Sequence, residues 1–193
     1  MFEIWGTLNG KNKEKDSRIS GYLTHTLTFK EQNSVLFFSP FGEIFESGLA
    51  KADVAVMTFS RTDLLNSPYV NIKSLEKALR VFSPYKDKIL VSLSAECRDY
   101  NLATEKMIPI TLNIASFKAL VNSSEMYFCE EFGASYFTYQ KSSPHLVWIE
   151  DTKSIALKHN MIKAYGYKGI YLENPYSLLD GNWEALTAMY KKA

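Results

Sequence analysis

Cysteine, histidine and one-sided charge are all scarce in this sequence, and each shortage removes a class of function. Only Cys97 and Cys129 occur in 193 residues, and there are three histidines. Neither cysteine lies in a CxxC pair or a Cys/His cluster, so neither a zinc site nor a disulfide framework has support. Lys and Arg number 22 against 21 Asp and Glu, a net charge of +1. That balance lacks the field expected of a nucleic-acid binder or of a protein drawn to an anionic membrane. The one basic run, Lys11-Asn12-Lys13-Glu14-Lys15, is diluted by Glu14 and Asp16 and reads as a solvated loop. No apolar stretch approaches the roughly 18 residues of a membrane-spanning helix. The start, Met1-Phe2-Glu3-Ile4-Trp5-Gly6, lacks the basic flank and apolar run of a secretory leader. The expectation is a cytoplasmic protein with no metal, no cofactor, no nucleic acid and no membrane among its partners. Short repeats and low-complexity linkers are absent too.

What is present is globular. Apolar residues make up 46% and charged residues 22%, enough for one core with room for an insert. Residues 1–33 form a segment of unclear origin. Within it, Gly21 to Phe29 alternates with Leu23, His25, Leu27 and Phe29 on one face, a half-buried strand pattern in which His25 reads as structural. Phe2, Ile4 and Trp5 are placed to form its partner strand. From Ser34 the pattern changes to short unbroken apolar runs: Val35-Leu36-Phe37-Phe38, Asp53 to Phe59, Lys88 to Ser94, and Lys168 to Leu172. Runs without alternation suit strands covered on both faces, as in a parallel sheet. Helical patterns lie between them. Asn71 is placed to cap a helix with the stripe Leu75, Ala78, Leu79 and Phe82, ending at Ser83-Pro84. Asp151 is placed to cap another, carrying Ile155, Ile162 and Tyr165 and closed by Gly166. A last helix follows Asn182, with Trp183, Leu186 and Tyr190 on one face. Strand and helix in alternation predict an α/β fold.

One segment, about 101–149, breaks that alternation. It holds a helical stretch from Ala115 to Val121 and β-rich runs at 126–129, 135–139 and 145–149, with Gly133 and Lys141-Ser142-Ser143-Pro144 as turns. It reads as a small α+β insert between a strand and its following helix, within a body of 34–193.

The ordered series Val56-Met57-Thr58-Phe59, Lys88-Ile89-Leu90, Ala134 to Tyr139, Val147 to Ser154 and Gly166 to Tyr171 resembles the C-terminal half of family 18 glycoside hydrolases. The nearest branch in look is the sporulation and germination N-acetylglucosaminidases acting on spore-cortex peptidoglycan. The likeness runs from about Ser34 to Trp183. It implies an eight-stranded β/α barrel with an α+β insert after the seventh strand, of which this chain supplies strands five to eight: a half TIM-type barrel. It also implies a spore-associated setting.

That family uses substrate-assisted catalysis, in which the sugar's own N-acetyl oxygen attacks the anomeric carbon and a glutamic acid protonates the leaving oxygen. The acid belongs to an Asp-x-x-Asp-x-Asp-x-Glu motif, and none of the seven aspartates here has that spacing to the others and to a glutamate. Loss of a general acid costs on the order of 10²–10⁴ in rate. Further departures fall in the half that is present. Phe59 stands where the family has a tyrosine, Glu173 where it has the tryptophan flooring the sugar site, and Glu96 near an expected aromatic. No catalytic residue is therefore assigned. Phe59, Glu96, Tyr100, Tyr171 and Glu173 are the candidate sugar-site positions, the aromatics as stacking faces. Beside this stands a plainer reading: Phe59 as core, Glu173 as a solvated carboxylate or a cap partner, and the polar strand end Glu96, Arg98 and Asp99 as a salt-bridged loop. The expectation is a truncated, catalytically degenerate family 18-like protein that binds N-acetylglucosamine-containing glycans, peptidoglycan or chitin, with a homo-oligomer or the N-terminal residues closing the barrel. The alternative is an active glycosidase whose site is completed across chains. A gene remnant without selected function is the third reading.

Overall fold

The computed structural model describes residues 26–28, 34–41, 46–59 and 66–173. The expectations at Phe2 to Trp5, at Lys11 to Lys15, at His25 and for the helix after Asn182 lie outside the described residues.

The four apolar runs form four parallel strands. These are β2 (Ser34–Phe38), β3 (Val54–Met57), β4 (Ile89–Ser94) and, after a long excursion, β10 (Gly169–Glu173). They lie in the order β2-β3-β4-β10 with parallel register throughout. Ahead of them, β1 (Thr26–Thr28) pairs antiparallel with β2, so part of the N-terminal segment covers that edge of the sheet. Helices α1 (Glu46–Lys51), α2 (Ile72–Val81) and α4 (Thr152–Ala164) connect the strands. This is the strand-helix grammar of a β/α barrel, present in part.

The caps stand where the sequence places them. The Asn71 side chain accepts from the Ser74 amide at 2.7 Å and starts α2; Asp151 accepts from the Ser154 amide at 2.9 Å and starts α4. The end of α4 is a Schellman turn. The Gly166 amide reaches the Lys163 carbonyl at 2.9 Å and the Tyr167 amide reaches Ile162 at 3.3 Å. Gly166 has φ +75°, a conformation that excludes most side chains.

One core lies between the helices and one face of the sheet. Alternation sends Leu36, Phe38, Ala55, Met57, Ile89, Val91 and Leu93 into it, against Leu75, Leu79, Ile155 and Ile162 from the helices.

Between β4 and α4 sits a second sheet, antiparallel, in the order β6-β5-β9-β8-β7. Its strands are β5 (Cys97–Asn101), β6 (Lys106–Ile110), β7 (Tyr127–Cys129), β8 (Ala134–Gln140) and β9 (Pro144–Ile149). Helix α3 (Leu112–Val121), capped by the Thr111 hydroxyl, packs on it. The three β-rich runs of the sequence are β7 to β9; the β5–β6 hairpin has no counterpart in the pattern reading. Pro109 explains why β6 hid: proline removes a ladder donor and is tolerated only on an edge, which is where β6 lies.

Candidate functional site

The sheet is strongly curled. The rings of Phe37 and Tyr171 meet edge to face at 5.7 Å although β3 and β4 lie between their strands. Both therefore stand on the concave face, opposite the helix-side core. Register puts Ser92 beside Tyr171 and Ser94 beside Glu173 on that face. The C-terminal ends of β4 and β10 thus carry a polar group in a position where parallel barrels build their sites.

Glu173 is its centre. One carboxylate oxygen accepts from the Ser92 hydroxyl at 2.5 Å and the other from the Tyr69 hydroxyl. Ser92 is fully buried and Tyr69 is 2% exposed. Burial, followed by the Glu173 charge, holds the Tyr69 phenol far above its ordinary range, so it keeps its proton and stays a donor. Arg98 lies over the Tyr69 ring, 5.0 Å from its centroid, and pairs with Glu96 at 3.4 Å. The guanidinium is the inner partner, 4% exposed against 21% for Glu96. Tyr171 completes the group: burial and then the nearby Glu173 charge raise its phenol, and 38% of the residue faces solvent.

Tyr69 belongs to the loop 66–71 between β3 and α2, and the second sheet holds that loop. The Trp148 indole donates to the Asn66 carbonyl at 2.7 Å, and the Tyr100 hydroxyl donates to the Ser67 carbonyl at 3.0 Å. The Ile72 amide bonds the Phe132 carbonyl at 3.1 Å. The Glu150 carboxylate accepts from the Val70 backbone while both its oxygens hold the Lys158 ammonium, one at 2.6 Å. Burial pushes the Glu150 carboxyl up and the Lys158 ammonium down, with their mutual attraction opposing both.

Of the five sequence-derived positions, Glu173, Tyr171 and Glu96 come together here. Phe59 and Tyr100 do not join them. Phe59 follows Met57 onto the helix side and is fully buried there, 5.9 Å from the Phe41 ring. Tyr100 is 3% exposed, packed with Trp148 and Ala134, and serves the loop rather than a ligand. Asp99 leaves its neighbours Glu96 and Arg98 for the opposite face of β5. There it binds Lys118 of α3, Tyr139 at 2.8 Å and His145 Nδ1 at 2.8 Å. Tyr69 and Ser92 escaped sequence reasoning. The alternation of Ser92 and Ser94 inside an apolar strand is the signal that marks the polar face.

The group can accept and donate hydrogen bonds and stack on a ring. Its candidate nucleophiles are the Glu96 and Glu173 carboxylates and ordinary hydroxyls; Cys97 is fully buried, its thiol pushed up to about 12 by desolvation. Among the described residues, no three His, Cys, Asp or Glu side chains are grouped to hold a metal ion, and no helix is long and apolar enough to cross a membrane.

No protein-family model and no curated sequence matches this chain. Solved structures do. The spore cortex-lytic enzyme SleL of Bacillus cereus matches with a TM-score of 0.69 at 20% identity, over 79% of this chain and 40% of that one. A class V chitinase from Nicotiana tobaccum, in complex with NAG4, matches with a TM-score of 0.64 at 10% identity, over 81% and 56%. A glycoside hydrolase family 18 N-acetylglucosaminidase from Paenibacillus barengoltzii matches with a TM-score of 0.57 at 15% identity, over 78% and 55%. In fold, then, the chain is similar to family 18 glycoside hydrolases and carries part of their TIM-type barrel. It spans less than two thirds of the length of each of these neighbours.

Proposed function

We propose that the chain is a catalytically degenerate family 18-type protein that uses its strand-end site to bind N-acetylglucosamine-containing glycans such as peptidoglycan or chitin. One observation carries the reading. Tyr171 presents an open aromatic ring on the concave face, beside a carboxylate and its hydroxyl partners, the combination that stacks on a sugar and bonds its hydroxyls. Fold likeness to proteins named for chitin and spore-cortex chemistry supports it. Degeneracy is supported by Glu173, whose two oxygens are both engaged by hydroxyl donors. The reading includes a second copy of the chain at the β10 side, because β10 is the sheet edge among the described residues and an unpaired edge invites another strand.

The test combines binding and products. Titration with N-acetylglucosamine tetramer, followed by calorimetry, is expected to give binding that drops at least tenfold in Tyr171→Ala. Mass spectrometry of the same mixtures, and of spore peptidoglycan, is expected to show no cleavage. Products that vanish in Glu96→Gln or Glu173→Gln would instead establish a glycosidase with a rebuilt or shared site. Absence of binding would refute the proposal.

A further inference from the structure

The charge at this site has a sign. Glu173 is held by two neutral donors, the Ser92 and Tyr69 hydroxyls, which fix its position without cancelling its charge. The cation of the group, Arg98, pairs with Glu96 and lies against the Tyr69 ring, with 4% of its side chain exposed. Among the described residues of the group, two carboxylates and one guanidinium leave one negative charge, and Glu96 is more exposed than Arg98. Each Glu173 oxygen takes one hydrogen bond from these hydroxyls and keeps capacity for another. Tyr171, whose hydroxyl lies close enough to feel the Glu173 charge, supplies the stacking face next to it.

A sugar stacked on Tyr171 therefore brings its ring substituents toward a carboxylate. An acetamido group there can offer its N–H to the carboxylate, but that neutral donor replaces the water lost by the charge less well than an ammonium does, and its methyl and carbonyl oxygen gain nothing from the carboxylate. A free amino group is protonated near neutral pH and replaces that water with a charge-assisted hydrogen bond. Resting on the glycan-binding reading of this site, we propose that the preferred ligand is a de-N-acetylated amino sugar: glucosamine units within such a glycan, with the ammonium on Glu173. Bulk attraction cannot supply this selectivity, because the whole chain carries a net charge of +1.

The experiment compares glucosamine tetramer with N-acetylglucosamine tetramer by calorimetry at about pH 6, where an amine keeps its proton. The wild type is expected to bind the glucosamine tetramer at least tenfold more tightly. Glu173→Gln, with its fold checked by circular dichroism, is expected to narrow the gap to within threefold whichever way the absolute affinities move. Glu96→Gln, which leaves the Ser92 and Tyr69 bonds in place, is expected to reduce the gap by a smaller factor. Tyr171→Ala is expected to weaken both ligands. Equal binding, or tighter binding of the acetylated tetramer, would overturn the inference and leave the glycan-binding reading standing. A preference for glucosamine that persists unchanged in Glu173→Gln would also overturn it. No binding of either tetramer would refute the broader reading and this inference with it.

Discussion

At the scale of single residues, the clearest energetic statement concerns Asp99. Its side chain is 2% exposed and gathers Lys118, Tyr139 and His145 from three different elements. An ionised carboxylate only accepts, so His145 Nδ1 carries the shared proton. Burial raises the Asp99 carboxyl, but the bonds from Lys118, His145 and Tyr139 outweigh it and leave the group below its ordinary range. A depressed folded value means that the stabilisation is complete above the unfolded value of about 3.9 and is lost as pH falls through the folded one. Asp99→Asn is expected to cost about 2–3 kcal/mol at neutral pH. Its stability, measured by urea unfolding between pH 7 and pH 3, should fall less steeply with acid than that of the wild type. Parallel pH profiles would contradict the assignment. The same scale shows the limits of reading a site from sequence. Glu173 and Tyr171 were candidates through the family resemblance, and alternation along β10 puts both on one face. Phe59 lies in the helix-side core, which was its plainer reading in the sequence, beside the candidacy that the family resemblance gave it. Tyr69 was invisible because it sits in a loop, where no periodicity says which way a side chain turns.

At the scale of elements, α2, α4 and the four parallel strands were legible, since caps and apolar runs agree there with the final packing. Helix α3 was legible only as a helix. Its apolar residues surround most of its circumference, and Ile114, Phe117 and Leu120 remain 45%, 63% and 77% exposed while Lys118 turns inward to Asp99. Hydrophobic pattern alone cannot orient such a helix. The β5–β6 hairpin was missed because charged Cys97–Asn101 and proline-bearing Lys106–Ile110 look like loop. The element with the greatest consequence for the site is the loop 66–71, tied to the second sheet by Trp148 and Tyr100. Tyr100→Phe removes one donor and keeps its ring, and Trp148→Phe removes one donor while putting a smaller aromatic ring in place of the indole. Each is expected to cost about 1–2 kcal/mol. Each should also speed amide exchange at residues 66–71 more than at β4. Uniform acceleration across both regions would mean global destabilisation rather than release of the loop.

At the scale of the whole molecule, four parallel strands plus β1 make a curled sheet whose β10 edge is unpaired among the described residues. Closure by a second copy predicts a concentration-dependent mass in sedimentation velocity. A lysine in place of Ile170, in the middle of β10, should shift the distribution toward monomer. A monomer at every concentration would remove the second copy from the proposal. The strand rhythm of the sequence breaks near the start of the second sheet, which begins at Cys97. What the sequence could not convey is that this sheet does more than fill a gap between a strand and a helix. It shares no strand pairing with the parallel sheet, yet four of its side-chain and backbone contacts hold the segment that delivers Tyr69 to Glu173. Considered as a part to be exchanged, the second sheet brings its own core and a hold on the loop that carries Tyr69. On the proposed glycan-binding reading, exchanging this segment would re-aim the Tyr69 phenol and alter ligand preference while the parallel strands stay the same.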